Sequence, residues 1–325
     1  MKIPNIPTSL FIASAIPAGF GAAILLKDYI GGAKYTEEHD IIGKTVVITG
    51  ASGGIGKETA LELAKRGGKL LLACRDMNKC ERARNEIITD SFNKKVKCCE
   101  LDLASCESIR NFADKVNKEE KHVDILINNA GVMSCPKQLT KEGFEWQLGV
   151  NYLGHFLLTN LLLDKLKQSS QGRVINVVSP LYKKSNINFT DLNSMEYYDP
   201  KEAYGQSKLA LVLFTLELSR LLEGTNVTVN CVNPGVVKSE IGRHLPLGQS
   251  TLSSGFLSPL TWLLMKTPLQ GAQTSIYLAV SPEVEKVSGK YFAKYKQEPI
   301  TENGLDEETA RRMWLISEKW TRLAS

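Results

Sequence analysis

The chain has 325 residues, of which 43% are hydrophobic and 23% are charged. This composition excludes a disordered, a collagen-like or a fully membrane-embedded protein. The 40 Lys and Arg residues exceed the 35 Asp and Glu residues by five and form no long basic run with interleaved aromatic residues, so nucleic acid is not an expected partner.

The first predicted element is an apolar segment at the start of the chain. Residues 3–26 contain no charged side chain, although Pro17, Gly19 and Gly21 interrupt the segment. It is long enough to cross a bilayer. We interpret residues 1–40 as an uncleaved membrane anchor with its linker. A cleaved signal peptide and an apolar helix packed on the domain are the alternatives.

From residue 41 onward, short β-branched runs alternate with longer amphipathic stretches, which is the pattern of a doubly wound parallel α/β sheet. The predicted strands lie within residues 45–48, 70–73, 96–101, 123–127, 173–178, 227–232 and 289–292. The predicted helices lie near residues 55–67, 77–90, 105–118, 141–167, 203–223 and 269–280. No linker or repeat divides the region, so residues 41–325 are predicted to form a single Rossmann-type domain of about seven strands.

Two segments do not follow this alternation. Residues 241–268 form a long apolar insertion that we expect to cover an apolar substrate, and a plain core helix is the alternative. Residues 305–323 predict a terminal amphipathic helix, whose Trp314 and Trp320 are available either for packing or for a membrane surface.

The 7 cysteines include no C-x-x-C pair, and no histidine lies at the spacing of a zinc ligand. The sequence therefore predicts neither a metal site nor a disulfide scaffold. We expect the cysteines to be buried or half-buried thiols in a reducing compartment.

A glycine-rich run connects the first predicted strand to the helix after it. Gly50, Gly54 and Gly56 stand where a dinucleotide-binding loop needs a positive φ angle and a close approach of the backbone to a pyrophosphate. The pyrophosphate charge is then received by free N–H groups at the start of the helix. The strand before the run and the helix after it favour this interpretation over a plain flexible turn.

The end of the second strand carries information about the cofactor. An enzyme that uses NAD commonly places a carboxylate near this point to hold the ribose hydroxyls. Cys74 and Arg75 stand there instead, and a guanidinium can bind a 2′-phosphate through paired hydrogen bonds. The sequence therefore favours NADP(H). The alternative is that Arg75 is a solvated surface charge, which Asp76 partly neutralises.

A phenol and an ammonium lie four residues apart on one face of a predicted helix, at Tyr204 and Lys208. A free phenol has a pKa of about 10, and a nearby cation favours the phenolate. We therefore expect Lys208 to lower the pKa of Tyr204 into the range of proton transfer. The strand before this helix ends in Ser179, which is predicted to lie beside them.

These motifs resemble the short-chain dehydrogenase/reductase family, in particular its retinol dehydrogenase subgroup, and the likeness covers nearly the whole chain. It is carried further by the runs at 43–46, 123–133 and 153–162. The resemblance implies a catalytic tetrad of Asn151, Ser179, Tyr204 and Lys208, in which Asn151 holds a water that links the lysine to solvent. Ser179 and Tyr204 are also implied to contact the substrate oxygen.

The expected cofactor-binding residues combine the loop, the strand ends and the tetrad. They are Gly50, Ser52, Gly54, Ile55, Gly56, Arg75, Asp102, Asn129, Ala130, Gly131, Tyr204, Lys208, Pro234 and Gly235. Two of these have structural alternatives, because Asp102 could be a helix N-cap and Asn129 could satisfy buried backbone groups.

The resemblance implies an NADP(H)-dependent oxidoreductase that interconverts a lipophilic alcohol and aldehyde, with reduction of all-trans-retinal to retinol as the expected reaction. It also implies attachment to a membrane, with the mitochondrial inner membrane favoured over the endoplasmic reticulum. A homodimer could form through the helix at 203–223. The alternatives are a steroid or lipid-derived aldehyde or ketone reductase, and a catalytically weak cofactor-binding scaffold or redox sensor.

Overall fold

The computed structural model of this chain describes residues 27, 31–32, 34–237 and 265–323. The anchor predicted at residues 3–26 lies outside the described residues, as does most of the insertion predicted at 241–268. Among the helices that are described, none is both long enough and apolar enough to cross a membrane.

One mixed sheet forms the centre of the domain, and its strand order is β3-β2-β1-β4-β5-β6-β7-β8. The strands are β1 (Thr45–Thr49), β2 (Lys69–Cys74), β3 (Val96–Glu100), β4 (Ile125–Asn128), β5 (Gly172–Val177), β6 (Val227–Asn233), β7 (Tyr291–Ala293) and β8 (Lys296–Glu298). The first seven are parallel, which confirms the predicted doubly wound sheet. The antiparallel β8 was not predicted, because its Lys-Gln-Glu sequence lies at an edge and has no apolar alternation.

Helices cover both faces of this sheet. They are α1 (Gly54–Lys65), α2 (Met77–Ser91), α3 (Cys106–Glu119), α4 (Trp146–Leu148), α5 (Gly154–Leu161), α6 (Leu163–Lys167), α7 (Pro200–Leu221), α8 (Pro268–Val280), α9 (Glu302–Leu305) and α10 (Glu307–Thr321). Short 3-10 helices span Pro180–Lys184 and Pro282–Val284.

The structure does not contain the single long helix predicted at 141–167. Helical structure begins there only at α4, where the Glu145 carboxylate accepts hydrogen bonds from the N–H groups of Gln147 and Leu148. A π-helical turn, Gly149–Leu153, then joins α4 to α5. A π turn inserts an extra residue into the helix and often occurs at functional sites.

The core has one apolar layer on each side of the sheet. Along β1, Val47 belongs to one layer, whereas Val46 and Ile48 belong to the other. This alternation is the normal consequence of strand geometry, and burial on both faces is typical of parallel sheets. The order β2-β1-β4 places a topological switch point between β1 and β4, where the crevice beyond the carboxyl ends of the strands can hold a ligand.

The C-terminal helix α10 covers one face of α7. The Trp314 ring stacks on Phe214 with a centroid distance of 5.8 Å and meets the edge of Phe156 at 5.0 Å. Trp320 stacks on Phe144. The packing interpretation of these tryptophans is therefore confirmed. Two copies of the chain could pair along this face of α7 only if α10 moved aside.

The segment before residue 41 packs against the domain. The Tyr35 side chain is buried in the core, and its backbone N–H donates to Oε1 of Gln273 at 2.8 Å. Arg66 donates a hydrogen bond to the Glu37 carbonyl oxygen at 2.7 Å. The packed domain thus includes residues that lie before the predicted boundary.

One expectation about the cysteines is wrong. Cys80 on α2 and Cys98 on β3 form a disulfide, whose Cα atoms are 6.0 Å apart. The two residues lie 18 positions apart in sequence, and only the packing of α2 against β3 brings them together. Cys74, Cys99, Cys106, Cys135 and Cys231 are not in a disulfide within the described residues.

The packing of α10 can be tested by truncating one of its aromatic side chains. We expect Trp314→Ala to lower the free energy of unfolding by about 2–4 kcal/mol, because the indole fills the space between Phe156 and Phe214. The control is Leu315→Ala, whose side chain is 65% exposed and whose effect should stay within about 0.5 kcal/mol. Urea unfolding monitored by circular dichroism measures both. Equal losses in the two variants would contradict this packing.

Candidate active site

The glycine loop follows β1 at the switch point and needs glycine for two separate reasons. Gly50 has a φ angle of +67°, and a Cβ atom there would lie 2.9 Å from Cα of Ala130. A Cβ atom on Gly56 would lie 2.5 Å from both the Gly50 carbonyl oxygen and Nδ2 of Asn129. The first position requires left-handed backbone and the second requires a close approach.

The start of α1 is suited to an anion. Its N-cap is Gly53, which has no side chain to accept the free N–H groups, and its first turn contains no acidic residue. Ile55 lies in that turn and faces Gly271 of α8. Free amides and the positive end of the helix dipole fit the pyrophosphate of a dinucleotide.

Thr49 connects the glycine loop to the end of β4. Its hydroxyl oxygen accepts hydrogen bonds from the N–H groups of Asn129 and Ala130, both at 2.9 Å. Nδ2 of Asn129 in turn donates to the Thr49 carbonyl oxygen at 2.8 Å. The Asn129 side chain therefore bonds the backbone of the glycine loop, which is the structural alternative given for it above. Ala130 and Gly131 follow it along the crevice and are half-buried.

The end of β2 presents a cation, Arg75, that forms no ion pair with any carboxylate among the described residues. Arg75 is exposed, and the neighbouring Asp76 is the N-cap of α2, accepting a hydrogen bond from the Lys79 N–H at 3.0 Å. Burial raises the pKa of the Cys74 thiol to about 11, and this thiol hydrogen-bonds Ser52 of the glycine loop. Ser52, Cys74 and Arg75 thus meet at one corner of the crevice.

Asp102 lies after β3 and does not cap a helix. Its Oδ1 atom accepts a hydrogen bond from the Ala104 N–H at 3.0 Å, whereas Ser105 is the N-cap of α3. The N-cap alternative for Asp102 is therefore wrong. At the other end of the crevice, Pro234 and Gly235 follow β6, and Gly235 has a φ angle of +82°.

Ser179 and Tyr204 are brought together by β5 and α7. Ser179 follows the end of β5 directly, and Tyr204 lies in the first part of α7, whose N-cap is Asp199. The Ser179 side chain lies close enough to the Tyr204 phenol to lower its pKa, and the tyrosine is only 5% exposed. The next residue, Gly205, lets Ser185 pack closely against α7, because a Cβ atom there would collide with the Ser185 hydroxyl.

Lys208 lies on the same face of α7 as Tyr204, and its side chain is buried. Its Nζ atom donates to the Val177 carbonyl oxygen at 2.9 Å and lies 5.9 Å from the centroid of the Tyr204 ring. Burial lowers the pKa of Lys208 to about 8, because an ammonium loses its hydration there.

The expected lowering of the Tyr204 pKa is wrong for the protein without cofactor. Burial raises the pKa of Tyr204 to about 12, and the hydrogen bond from Ser179 offsets only part of that effect. Desolvation of the phenolate thus outweighs the attraction of the ammonium. The phenol stays protonated at neutral pH, and a protonated phenol is ready to act as an acid.

Asn151 occupies the π turn, and its side chain is fully used. Oδ1 accepts from the Val132 N–H at 2.8 Å, while Nδ2 donates to the Val132 carbonyl and to the Ser207 hydroxyl, both at 2.9 Å. The side chain thus ties the loop after β4 to α7. Both amide hydrogens of Asn151 are engaged, so the side chain has no donor left for a further partner.

Three polar residues of this region were not predicted as site residues. They are Thr49, His155 and Ser207. A signal existed for each, because Thr49 ends β1, His155 follows Asn151 by four residues on a helix, and Ser207 precedes Lys208. The bonds from Thr49 to His155 and from Ser207 to Asn151 join residues that are far apart in sequence, so they could not be read from it.

The geometry agrees with comparisons to known proteins. The sequence profile of the short chain dehydrogenase family matches residues 44–249. The chain is 54% identical to retinol dehydrogenase 13 of Mus musculus over 316 residues, which are 97% of this chain and 95% of the relative. This chain belongs to the short-chain dehydrogenase family. Within that family, it groups with the retinol dehydrogenases.

Further relatives support this placement. The chain is 55% identical to retinol dehydrogenase 13 of Homo sapiens, over 94% of this chain and 92% of the relative. An uncharacterized protein from Mycobacterium paratuberculosis has a similar solved structure, with a TM-score of 0.72, 33% identity, and coverage of 89% of this chain and 98% of that chain. A short chain dehydrogenase from Shigella flexneri, solved with NADP, shares the fold with a TM-score of 0.63 at 21% identity, covering 80% of this chain and all of that one.

The close approach at Gly56 can be tested against a neighbouring glycine. We expect Gly56→Ala to lower the free energy of unfolding by about 1–3 kcal/mol and to weaken NADPH binding, because the added methyl group pushes the glycine loop away from Asn129. The control is Gly53→Ala, where a Cβ atom meets nothing within 4 Å and the backbone is extended. Urea unfolding and NADPH fluorescence titration measure the two effects. Matching behaviour of the two variants would contradict the prediction.

Proposed function

We propose that this protein is an NADP(H)-dependent oxidoreductase that reduces a lipophilic aldehyde, all-trans-retinal, to its alcohol. The observation that carries the proposal is the placement of Ser179 beside a buried Tyr204, with the Lys208 ammonium 5.9 Å from the Tyr204 ring on the same helix face. The retinol dehydrogenase names of the relatives support the retinoid part of the proposal.

The mechanism assigns one role to each side chain. When NADPH is bound, it would supply the hydride that adds to the carbonyl carbon. Ser179 donates a hydrogen bond to the aldehyde oxygen and holds it near Tyr204. The Tyr204 phenol gives its proton to that oxygen as negative charge develops there. Lys208 stabilises the phenolate that remains, and Asn151 holds the loop and helix that carry these groups.

The preference for NADPH rests on the corner formed by Ser52, Cys74 and Arg75. Asp76 accepts the Lys79 N–H as the N-cap of α2, so its carboxylate is directed to the start of that helix. A hydroxyl and an exposed guanidinium are donors that suit a phosphate. The reduced cofactor also favours the reducing direction, since cells keep the phosphorylated pool largely in that form.

We also propose that residues 3–26 attach the enzyme to a membrane, as part of an N-terminal unit at residues 1–40. A bilayer would supply a lipophilic substrate that is scarcely soluble in water. The mitochondrial inner membrane is the proposed location. Fractionation of cells that express a C-terminally tagged chain tests this, with a chain lacking residues 1–30 as the control. Recovery in endoplasmic reticulum membranes would overturn the mitochondrial location.

The reaction is tested with a turnover panel on purified protein. We expect oxidation of NADPH with all-trans-retinal, and a lower kcat/KM with a steroid ketone and with a medium-chain aldehyde. Tyr204→Phe should lower kcat by about 10²–10⁴-fold, because the proton donor is lost. Its NADPH affinity should stay near that of the unaltered protein. Unchanged turnover in this variant, or no turnover with any aldehyde despite tight NADPH binding, would overturn the proposal.

The role of Arg75 is tested by the choice between two cofactors. We expect Arg75→Ala to lower kcat/KM for NADPH by about 10–100-fold, the loss of a charge-assisted hydrogen-bond pair, and to leave kcat/KM for NADH nearly unchanged. The control is Arg82→Ala, which removes an exposed guanidinium from α2 away from the end of β2. Equal losses with both cofactors would show that Arg75 does not recognise the 2′-phosphate.

A further inference from the structure

His155 joins the catalytic half of the site to the cofactor half. It lies on α5, fully buried, and both ring nitrogens have partners. Nδ1 lies 2.9 Å from the Asn151 carbonyl oxygen, and Nε2 lies 3.0 Å from the Thr49 hydroxyl. One partner belongs to the tetrad, and the other holds the glycine loop.

These partners determine the tautomer of the ring. A carbonyl oxygen can only accept, so Nδ1 carries the proton and donates it to Asn151. The unprotonated Nε2 then accepts from the Thr49 hydroxyl. That leaves the lone pairs of the Thr49 oxygen for the N–H groups of Asn129 and Ala130. The Thr49 hydroxyl also lies 3.4 Å from the Ile127 carbonyl oxygen, and the shorter 3.0 Å contact assigns its proton to Nε2.

The charge of the ring is fixed as well. Burial lowers the pKa of His155 to about 4, and the positive charge of Lys208 acts in the same direction. The groups that face the ring are Thr49 on β1, Asn151 in the π turn and Lys208 on α7. His155 is therefore neutral at physiological pH and acts through its hydrogen bonds.

The π turn explains why the Asn151 carbonyl needs this partner. Within the turn, the backbone bond from the Gly154 N–H reaches back five residues to Gly149. The side chain of Asn151 is occupied by Val132 and Ser207. The His155 ring N–H is a side-chain partner for the main-chain oxygen of Asn151 within this turn.

We infer that His155 is a positioning residue that holds the Asn151 carbonyl for the proton path through Nδ1 and the Thr49-bound glycine loop for the cofactor through Nε2. This inference rests on the proposed function, which makes one half of the site catalytic and the other half cofactor-binding. It predicts that loss of the Nδ1 bond lowers kcat, whereas loss of the Nε2 bond weakens NADPH binding. A histidine with a merely structural role would not separate these two effects.

Two variants separate the two hydrogen bonds. In His155→Asn, the amide nitrogen replaces Nδ1, so the bond to Asn151 is kept and the bond to Thr49 is lost. In His155→Gln, the amide replaces Nε2, so the bond to Thr49 is kept and the bond to Asn151 is lost. Each bond is worth about tenfold in the parameter that depends on it.

The expected result is a split between kcat and cofactor affinity. His155→Asn should keep kcat and weaken the Kd for NADPH, measured by fluorescence titration, about tenfold. His155→Gln should keep that Kd and lower kcat for retinal reduction about tenfold. Parallel changes of both parameters in both variants, or no change in either, would overturn the inference.

A further measurement needs neither turnover nor a folded variant. The protein has 4 histidines, and ¹⁵N NMR of the unaltered chain distinguishes the ring tautomers. The inference requires one neutral histidine with its proton on Nδ1 at neutral pH, and a spectrum without such a ring overturns it. If the unaltered protein reduces no aldehyde, the proposed function fails, whereas the NADPH Kd values and this spectrum still decide the role of His155.

Discussion

The buried ammonium of Lys208 is the constraint on which the rest of the site depends. Taking a cation out of water is costly unless its environment compensates. In the part of the chain that the structure describes, Lys208 donates to the Val177 carbonyl and forms no ion pair with a carboxylate. Its charge therefore remains available to the Tyr204 phenol beside it. Burial keeps that phenol protonated. In the proposed mechanism the phenol gives its proton to a substrate oxygen, and the ammonium stabilises the phenolate that remains.

The site is held in place by polar residues that do not touch the reacting atoms. Asn151 ties the loop after β4 to α7, and Thr49 ties the same loop to the glycine loop. His155 connects these two residues. These bonds form one continuous network between the cofactor side and the catalytic side of the site. The parallel sheet supplies the frame, since β1, β4 and β5 end at the same edge.

Much of this architecture could be predicted from sequence, because its signals are local. β-branched runs predicted the parallel strands, and the glycine spacing together with Tyr204 and Lys208 predicted the site. Features set by packing could not be read. The pKa of Tyr204 depends on how deeply α7 is buried, the pairing of Cys80 with Cys98 depends on where α2 lies, and the cover that α10 gives to α7 depends on tertiary contacts. Capping by Asp76 was also missed, because an N-cap and a surface carboxylate look alike in sequence.

The transfer of the Tyr204 proton together with the hydride is tested most directly by isotope effects on a single turnover of retinal. The account predicts that the reaction is slower with NADPH deuterated at the transferred position and slower again in D₂O, and that Tyr204→Phe abolishes the second effect. Equal rates of the unaltered enzyme in H₂O and D₂O, while the deuterated cofactor still slows the reaction, would contradict the account.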